Sequence, residues 1–309
     1  MSALIRTEDL HKNFDGVQAV DGVSFEVEEG EVFGFLGPNG AGKTTTVRMI
    51  TGVLKPDSGT AWVNGKNVRE EPVEVKSEIG IAPEVSNAYI DMDGWQNMML
   101  MGELYGVPGD EREARAGELL ELFGLSDRKD TKVKGYSKGM QKRLILAMAT
   151  IHDPPVVFLD EPTAGLDVQS QRLIKKRIRE MNEEGKTVFL TTHNIPVANE
   201  LCDRVAVINH GKIAAIDTPE KLKSTIQETQ SIEVGFENSI QTSALEDLDK
   251  TERIEKKGDK YRIYTWDPIW VVEQLLDLAK KEDRKILSIR TLGPSLEDAF
   301  VELTGGESK

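Results

Sequence analysis

One stretch constrains this chain more than any other: Gly37-Pro38-Asn39-Gly40-Ala41-Gly42-Lys43-Thr44-Thr45. It follows the apolar run Val32 to Leu36 and precedes a helical segment reaching about Ile50. The stretch matches the P-loop pattern at every fixed position, in the strand–loop–helix context that the pattern requires. Glycines let successive backbone N–H groups curl around a β-phosphate, and the helix N-terminus adds positive potential. Lys43 is expected to neutralise the β- and γ-phosphates, and the Thr44 hydroxyl to ligate Mg²⁺.

A second feature completes the first. Val156-Val157-Phe158-Leu159 reads as a buried strand that delivers Asp160 and Glu161 at its C-terminal end. Parallel-sheet proteins bind ligands at that end of their strands. Asp160 is expected to hold Mg²⁺, commonly through water, and Glu161 to act as base for an attacking water. Further short apolar strands at Thr187 to Thr191 and Val205 to Ile208 alternate with helical patterns at Lys138 to Thr150 and Gln169 to Asn182. That alternation predicts a parallel sheet covered on both faces.

Before the P-loop the pattern is β-rich. Ser24 to Val27 alternates with period two and turns at Glu28-Glu29-Gly30. Thr60 to Val63 is a strand candidate, and Asn64-Gly65 signals a type I′ hairpin. From Trp95 to Arg115 the pattern is helical, and Glu111 to Phe123 continues it. A boundary is expected between residues 1–224 and 225–309, in the polar stretch Lys223 to Thr229. The tail reads as a small α+β domain, with strands at Ile232 to Phe236, Tyr261 to Thr265 and Ile286 to Ile289. Asp267 and Pro268 open one tail helix, and the capping box Ser295-Leu296-Glu297-Asp298 opens another.

Composition narrows the functional classes. With 39 basic and 53 acidic residues the net charge is −14, which disfavours nucleic acid and anionic lipid as partners. Cys202 is the only cysteine, so a cysteine-cluster metal site is impossible. Met1 to Arg6 lacks the apolar core of a signal peptide, and no run of about 18 apolar residues could span a bilayer. A soluble, cytosolic protein is expected.

Several motifs in one order resemble the ATPase subunits of ABC transporters over about Leu4 to Lys223. Tyr136-Ser137-Lys138-Gly139-Met140-Gln141 resembles the family signature, Ala164-Gly165-Leu166-Asp167 the D-loop, and Thr192-His193 the switch histidine. Phe14 stands where the family stacks an aromatic on adenine. The resemblance implies an α/β fold: a P-loop NTPase core with a parallel sheet, an antiparallel β subdomain and a helical subdomain. It implies ATP and Mg²⁺ as ligands. Phe14, Asn39, Gly40, Ala41, Gly42, Lys43, Thr44 and Thr45 would bind ATP, and Thr44, Glu84 and Asp160 the metal. Glu161 and His193 would be catalytic, and Asp167 would link two sites across an interface. Ser137, Lys138, Gly139 and Met140 would contact the nucleotide of a second ATPase subunit, a copy or close paralogue. An integral membrane permease is the implied partner, which places the chain on the cytoplasmic face of a membrane. Trp95, Met98, Met99, Met101 and Tyr105 are candidates both for core and for the groove that receives the permease.

Two positions depart from the family pattern. Glu84 stands where glutamine is usual, and Lys138 where glycine is usual. The ending Pro294 to Gly305 resembles the extension of multidrug and antibiotic-resistance exporters. The resulting expectation is an ATP-hydrolysing subunit that powers export. An importer subunit and a soluble, non-transport ABC ATPase are the alternatives.

Overall fold

The computed structural model describes residues 3–224, 230–238, 240, 244, 245 and 248–305. Two compact units divide the chain, Met1–Pro219 and Glu220–Lys309. In chain order the first contains β1 (Ala3–Phe14), β2 (Val17–Glu28), β3 (Val32–Leu36), α1 (Lys43–Ile50), β4 (Ser58–Val63) and β5 (Lys66–Asn67). Next come α2 (Pro72–Ser77), β6 (Ile79–Ala82), α3 (Gly94–Leu104), α4 (Gly109–Leu122), α5 (Lys138–Ala149) and β7 (Val156–Asp160). Then follow α6 (Val168–Glu183), β8 (Thr187–Thr192), α7 (Ile195–Leu201), β9 (Arg204–Asn209) and β10 (Lys212–Asp217).

The central sheet has the order β10-β9-β3-β8-β7-β6, parallel except for β10 at one edge. Strands β3, β7 and β8 are buried along their whole length, as a sheet covered on both faces requires. Their register sets the site: Leu36 pairs with Thr192, and Asp160 with Thr191. The P-loop strand, the carboxylate strand and the histidine strand therefore end side by side.

An antiparallel sheet, β2-β1-β4-β5, packs on this core. Phe25 of β2 meets Phe33, Phe35 and Phe189 at centroid separations of 5.4, 5.6 and 5.8 Å. Each such pair contributes about 0.5–1.5 kcal/mol beyond area burial. Asn64 and Gly65 both have positive φ, 49° and 76°, in the turn between β4 and β5, as the type I′ reading expects.

The helical region differs from its sequence pattern in one respect. The continuous helix expected through Arg115 breaks into α3 and α4. Gly106 turns left-handed at φ 74°, and Pro108, which has no N–H to donate, N-caps α4.

The second unit opens with α8 (Pro219–Ser224), which begins at the last residue of the first. It continues with β11 (Gln230–Phe236), β12 (Thr251–Lys257), β13 (Lys260–Thr265), α9 (Pro268–Lys281), β14 (Ile286–Leu292) and α10 (Leu296–Leu303). Its sheet is antiparallel, in the order β12-β13-β11-β14. Ile232, Val234, Tyr261 and Ile263 share a cluster with Val271 and Leu275 of α9. Strand alternation turns Ser231 and Arg262 to the other face. There Arg262 donates to Ser231 Oγ (3.0 Å) and to Asp298 Oδ2 (3.1 Å) on α10. Asp298 also accepts from the Ser295 backbone N–H, closing the expected capping box. The helix cap thus also ties α10 to the sheet.

Candidate functional site

The loop after β3 is shaped by glycines that no other residue could replace. Gly42 N-caps α1 at φ 104°, and a Cβ there would lie 2.4 Å from the Ala19 carbonyl oxygen. A Cβ on Gly37 would lie 2.4 Å from the Ile208 carbonyl oxygen. Lys43 opens α1 and is buried. Its ammonium folds over the loop, donating to the carbonyls of Gly37 (2.7 Å) and Pro38 (3.1 Å), and lies 3.8 Å from Glu161 Oε1. Burial pulls the Lys43 pKa below the ordinary lysine value, against the charges of Glu161, Asp160 and Glu84. The result is a buried cation held against the loop, suited to an anion with several oxygens.

Opposite lie the two carboxylates, both buried. Asp160 ends β7 and accepts from the Thr44 hydroxyl (3.1 Å to Oδ2) and from the Thr191 hydroxyl. Glu161 then adopts φ 46°, a left-handed conformation uncommon for a side chain with a Cβ. Its N–H donates to the Thr191 carbonyl (3.2 Å). The turn leaves the strand, so the two neighbouring carboxylates reach different partners. Glu161 Oε1 lies 2.8 Å from His193 Nδ1, and the Thr192 hydroxyl donates to Oε2 (3.4 Å). The imidazole is half-exposed.

Several expected residues lie together and several do not. Lys43, Thr44, Asp160, Glu161 and His193 converge in one place through the contacts above. Glu84 is exposed just after β6, and with Lys138, Gln141, Glu161 and Leu166 it lines a cleft of about 270 Å³. Ser137 is exposed and N-caps α5, its hydroxyl accepting from the Met140 N–H (3.2 Å). A Cβ on Gly139 would lie 2.3 Å from Ser170 Oγ, and Ser170 is held by Asp167 at 2.8 Å. Asp167 therefore caps α6 while sitting beside the start of α5. Phe14, at the end of β1, has a ring 44% exposed with the Lys12 ammonium 5.5 Å from its centroid. Asn39 and Gly40 are exposed on the loop, Ala41 is buried, and Thr45 is half-buried. Within α3, Met98 belongs to the core, whereas Val85, Tyr89, Ile90 and Leu104 are the exposed apolar residues of this region.

Thr191 and Lys142 join this arrangement without having been singled out in the sequence, and Thr192, expected only as the neighbour of His193, adds its hydroxyl to Glu161. Lys142 is buried, and its ammonium donates to the carbonyls of Pro83, Glu84 and Asp160. The available signal was a lysine on the buried face of α5, three residues after Gly139 and four before Leu146.

The donor set at Thr44 and Asp160 is a hydroxyl and a carboxylate, hard oxygens 3.1 Å apart. Mg²⁺ takes one or two such protein oxygens and completes its shell with water and phosphate oxygens, so these residues fit it. Among the described residues no cluster of three His, Cys, Asp or Glu could cage a metal by itself.

The ABC transporter family model matches residues 20–164. The chain is 36% identical over 309 residues to the linearmycin resistance ATP-binding protein LnrL of Bacillus subtilis (strain 168), covering 98% of both chains. It is 35% identical over 307 residues to Nod factor export ATP-binding protein I of Ralstonia nicotianae, covering 99% of this chain and 95% of the other. Among solved structures it resembles the dimeric post-hydrolysis ATP-binding cassette MJ0796 bound to ADP and Pi. That likeness has TM-score 0.64 and 26% identity, over 69% of this chain and 98% of the other.

Proposed function

The chain belongs to the ATP-binding subunits of ABC transporters, and from that premise we propose that it hydrolyses Mg-ATP as one half of a dimer to power export. The observation that carries this reading is the convergence of Lys43, Thr44, Asp160, Glu161 and His193 at the C-terminal ends of three adjacent parallel strands.

Each residue then has a role its position supports. Lys43 exchanges the carbonyls of Gly37 and Pro38 for β- and γ-phosphate oxygens. Thr44, Asp160 and Glu84 would hold Mg²⁺. When bound, the ion neutralises charge on the β- and γ-phosphates. Glu161 takes a proton from water as the water oxygen bonds to the γ-phosphorus and the bond to the β–γ bridging oxygen breaks. His193 keeps the Glu161 carboxylate aimed at the attacking water. Phe14 stacks on adenine, with Asn39, Gly40, Ala41, Gly42 and Thr45 completing the nucleotide cradle.

Ser137, Lys138, Gly139 and Met140 open a helix whose positive end suits the γ-phosphate of a second subunit. The dimeric MJ0796 structure supports that reading. Asp167, beside Gly139, is placed to link one site with the other. Export is supported by the names of the linearmycin resistance and Nod factor export relatives, which match over nearly the whole chain, tail included. No helix among the described residues is long and apolar enough to cross a membrane. The membrane path is assigned to a separate permease that docks on the helical region, where Val85, Tyr89, Ile90 and Leu104 are exposed apolar residues. This makes the chain a peripheral subunit on the ATP-containing side.

The test has two parts. Purified protein should release phosphate from ATP with Mg²⁺ and not with a chelator; equal rates in both would remove the metal from the reading. Deleting the coding sequence should lower resistance to at least one small-molecule antibiotic, and unchanged resistance across a broad panel would set antibiotic export aside.

A further inference from the structure

Strands β6 and β7 pair in parallel only as far as Ala82 opposite Leu159. Beyond that point they separate. Asp160 continues alongside Thr191 of β8, while Pro83 and Glu84 leave the sheet. Pro83 has no N–H to continue the ladder. The carbonyls of Pro83, Glu84 and Asp160 are therefore left without strand partners where the sheet splits.

Lys142 enters that split from α5. Its ammonium lies 3.0 Å from the Pro83 carbonyl oxygen, 3.3 Å from that of Glu84 and 3.0 Å from that of Asp160. An ammonium has three donors, and here all three go to backbone oxygens. The side chain is 6% exposed, so water does not substitute for these bonds. A lysine that merely filled space would leave its head in solvent. This one joins two chain segments that both carry carboxylates toward the phosphate site.

We propose that Lys142 is a positioning residue: by gripping the carbonyls of Pro83, Glu84 and Asp160 together, it fixes the Glu84 loop against the metal-binding end of β7. A displacement of that loop must carry Asp160 with it or break buried, charge-assisted bonds. This inference rests on the reading that Glu84 and Asp160 serve the metal–phosphate site.

The experiment uses the full-length protein, wild type and Lys142→Met, with two readouts. Hydrogen exchange is followed in peptides covering 83–88 and 160–164, with the P-loop helix as internal reference. Binding of a fluorescent ATP analogue is measured with and without Mg²⁺, to give the gain in affinity that the metal provides. Exchange in both peptides should rise about tenfold or more while the P-loop helix is unchanged. The Mg²⁺ gain should shrink about tenfold, as for other residues that hold metal ligands from behind, while metal-free binding stays within about twofold. Lys142→Gln, which keeps two N–H donors, should fall between the two, and it decides the matter by the same measurements if Lys142→Met does not fold. Wild-type exchange at 83–88 in a folded variant overturns the proposal. So does raised exchange with an undiminished Mg²⁺ gain, which would make Lys142 a packing residue only. A wild-type protein with no Mg²⁺ gain at all would instead refute the metal site, and exchange alone would then judge the grip.

Discussion

His193 Nδ1 lies 2.8 Å from Glu161 Oε1, joining the ends of two neighbouring parallel strands through a residue held at positive φ. The histidine donates its Nδ1–H and so restrains a carboxylate that also accepts from Thr192. In His193→Ala the carboxylate keeps its charge and loses its aim. Steady-state phosphate release should fall roughly 10–100-fold, the scale of a small misplacement at a reacting centre. Nucleotide affinity should stay within about twofold, because the loop contacts are untouched. A tenfold loss of affinity with normal turnover would show that His193 binds instead of aligning.

Lys43 is the buried cation among Glu161, Asp160 and Glu84. Lys43→Ala removes the charge that phosphate oxygens meet and leaves the carboxylates facing the nucleotide uncompensated. ATP affinity, measured by equilibrium binding, should drop about 10- to 100-fold, the equivalent of one charge-assisted hydrogen bond. Thermal stability should change far less, since this lysine's partners in the free protein are loop carbonyls and a carboxylate 3.8 Å away. Unchanged affinity would mean that the loop holds phosphate through its N–H groups alone.

Glu84→Gln tests the departure from the family pattern. The substitution keeps an oxygen ligand and removes one negative charge from the cleft that Glu84 shares with Glu161 and Lys138. The Mg²⁺ concentration at half-maximal turnover should rise several-fold, and the maximal rate should change with it. A titration that overlays the wild-type curve would show Glu84 to be a solvated carboxylate with no part in the reaction.

His152 supplies a pH dependence outside the phosphate site. Its ring stacks on Tyr105 at 3.7 Å, its Nε2–H donates to the Ile79 carbonyl (3.1 Å), and its buried Nδ1 has no partner. Burial holds its pKa down to about 4, against 6.5 unperturbed. As pH falls the unfolded chain takes up this proton first. The stabilisation is therefore complete above pH 6.5 and is lost as pH drops from 6.5 through about 4. Discounted for the ring's partial exposure, the loss is about 2 kcal/mol. In His152→Gln, whose amide can still donate to Ile79, urea midpoints should fall less between pH 7.5 and 5 than in wild type. Parallel falls would assign the acid sensitivity elsewhere.

The parts of this molecule that could be read from sequence are those where local chemistry leaves one solution. Gly37 and Gly42 face carbonyl oxygens that a Cβ would strike, so the loop's spacing is fixed by its own backbone. Strands β3, β7 and β8 are buried on both faces, so they stand out as unbroken apolar runs. Asp267 and Ser295 cap their helices as their neighbours suggested. By contrast, β1 carries register shifts between Thr7 and Leu10 and again between Leu10 and His11, which destroy the period-two signal. The helix break at Gly106 and Pro108 was written in the residues, but the apolar pattern ran across it. The helix carrying Lys142 was legible but the lysine's partners were not, because they are backbone carbonyls some 18 to 59 residues away. Those partners exist only after two strands have paired and parted.

The proposed hydrolysis turns on Glu161 as the base that activates water. Single-turnover phosphate release from bound ATP by Glu161→Gln tests it most directly, with ATP affinity measured alongside. The amide keeps the shape and the reach to His193 but cannot take the proton. Release should slow by about 10²–10⁴-fold while ATP remains bound with near wild-type affinity. Release at close to the wild-type rate would contradict the assignment and move the proton to another acceptor.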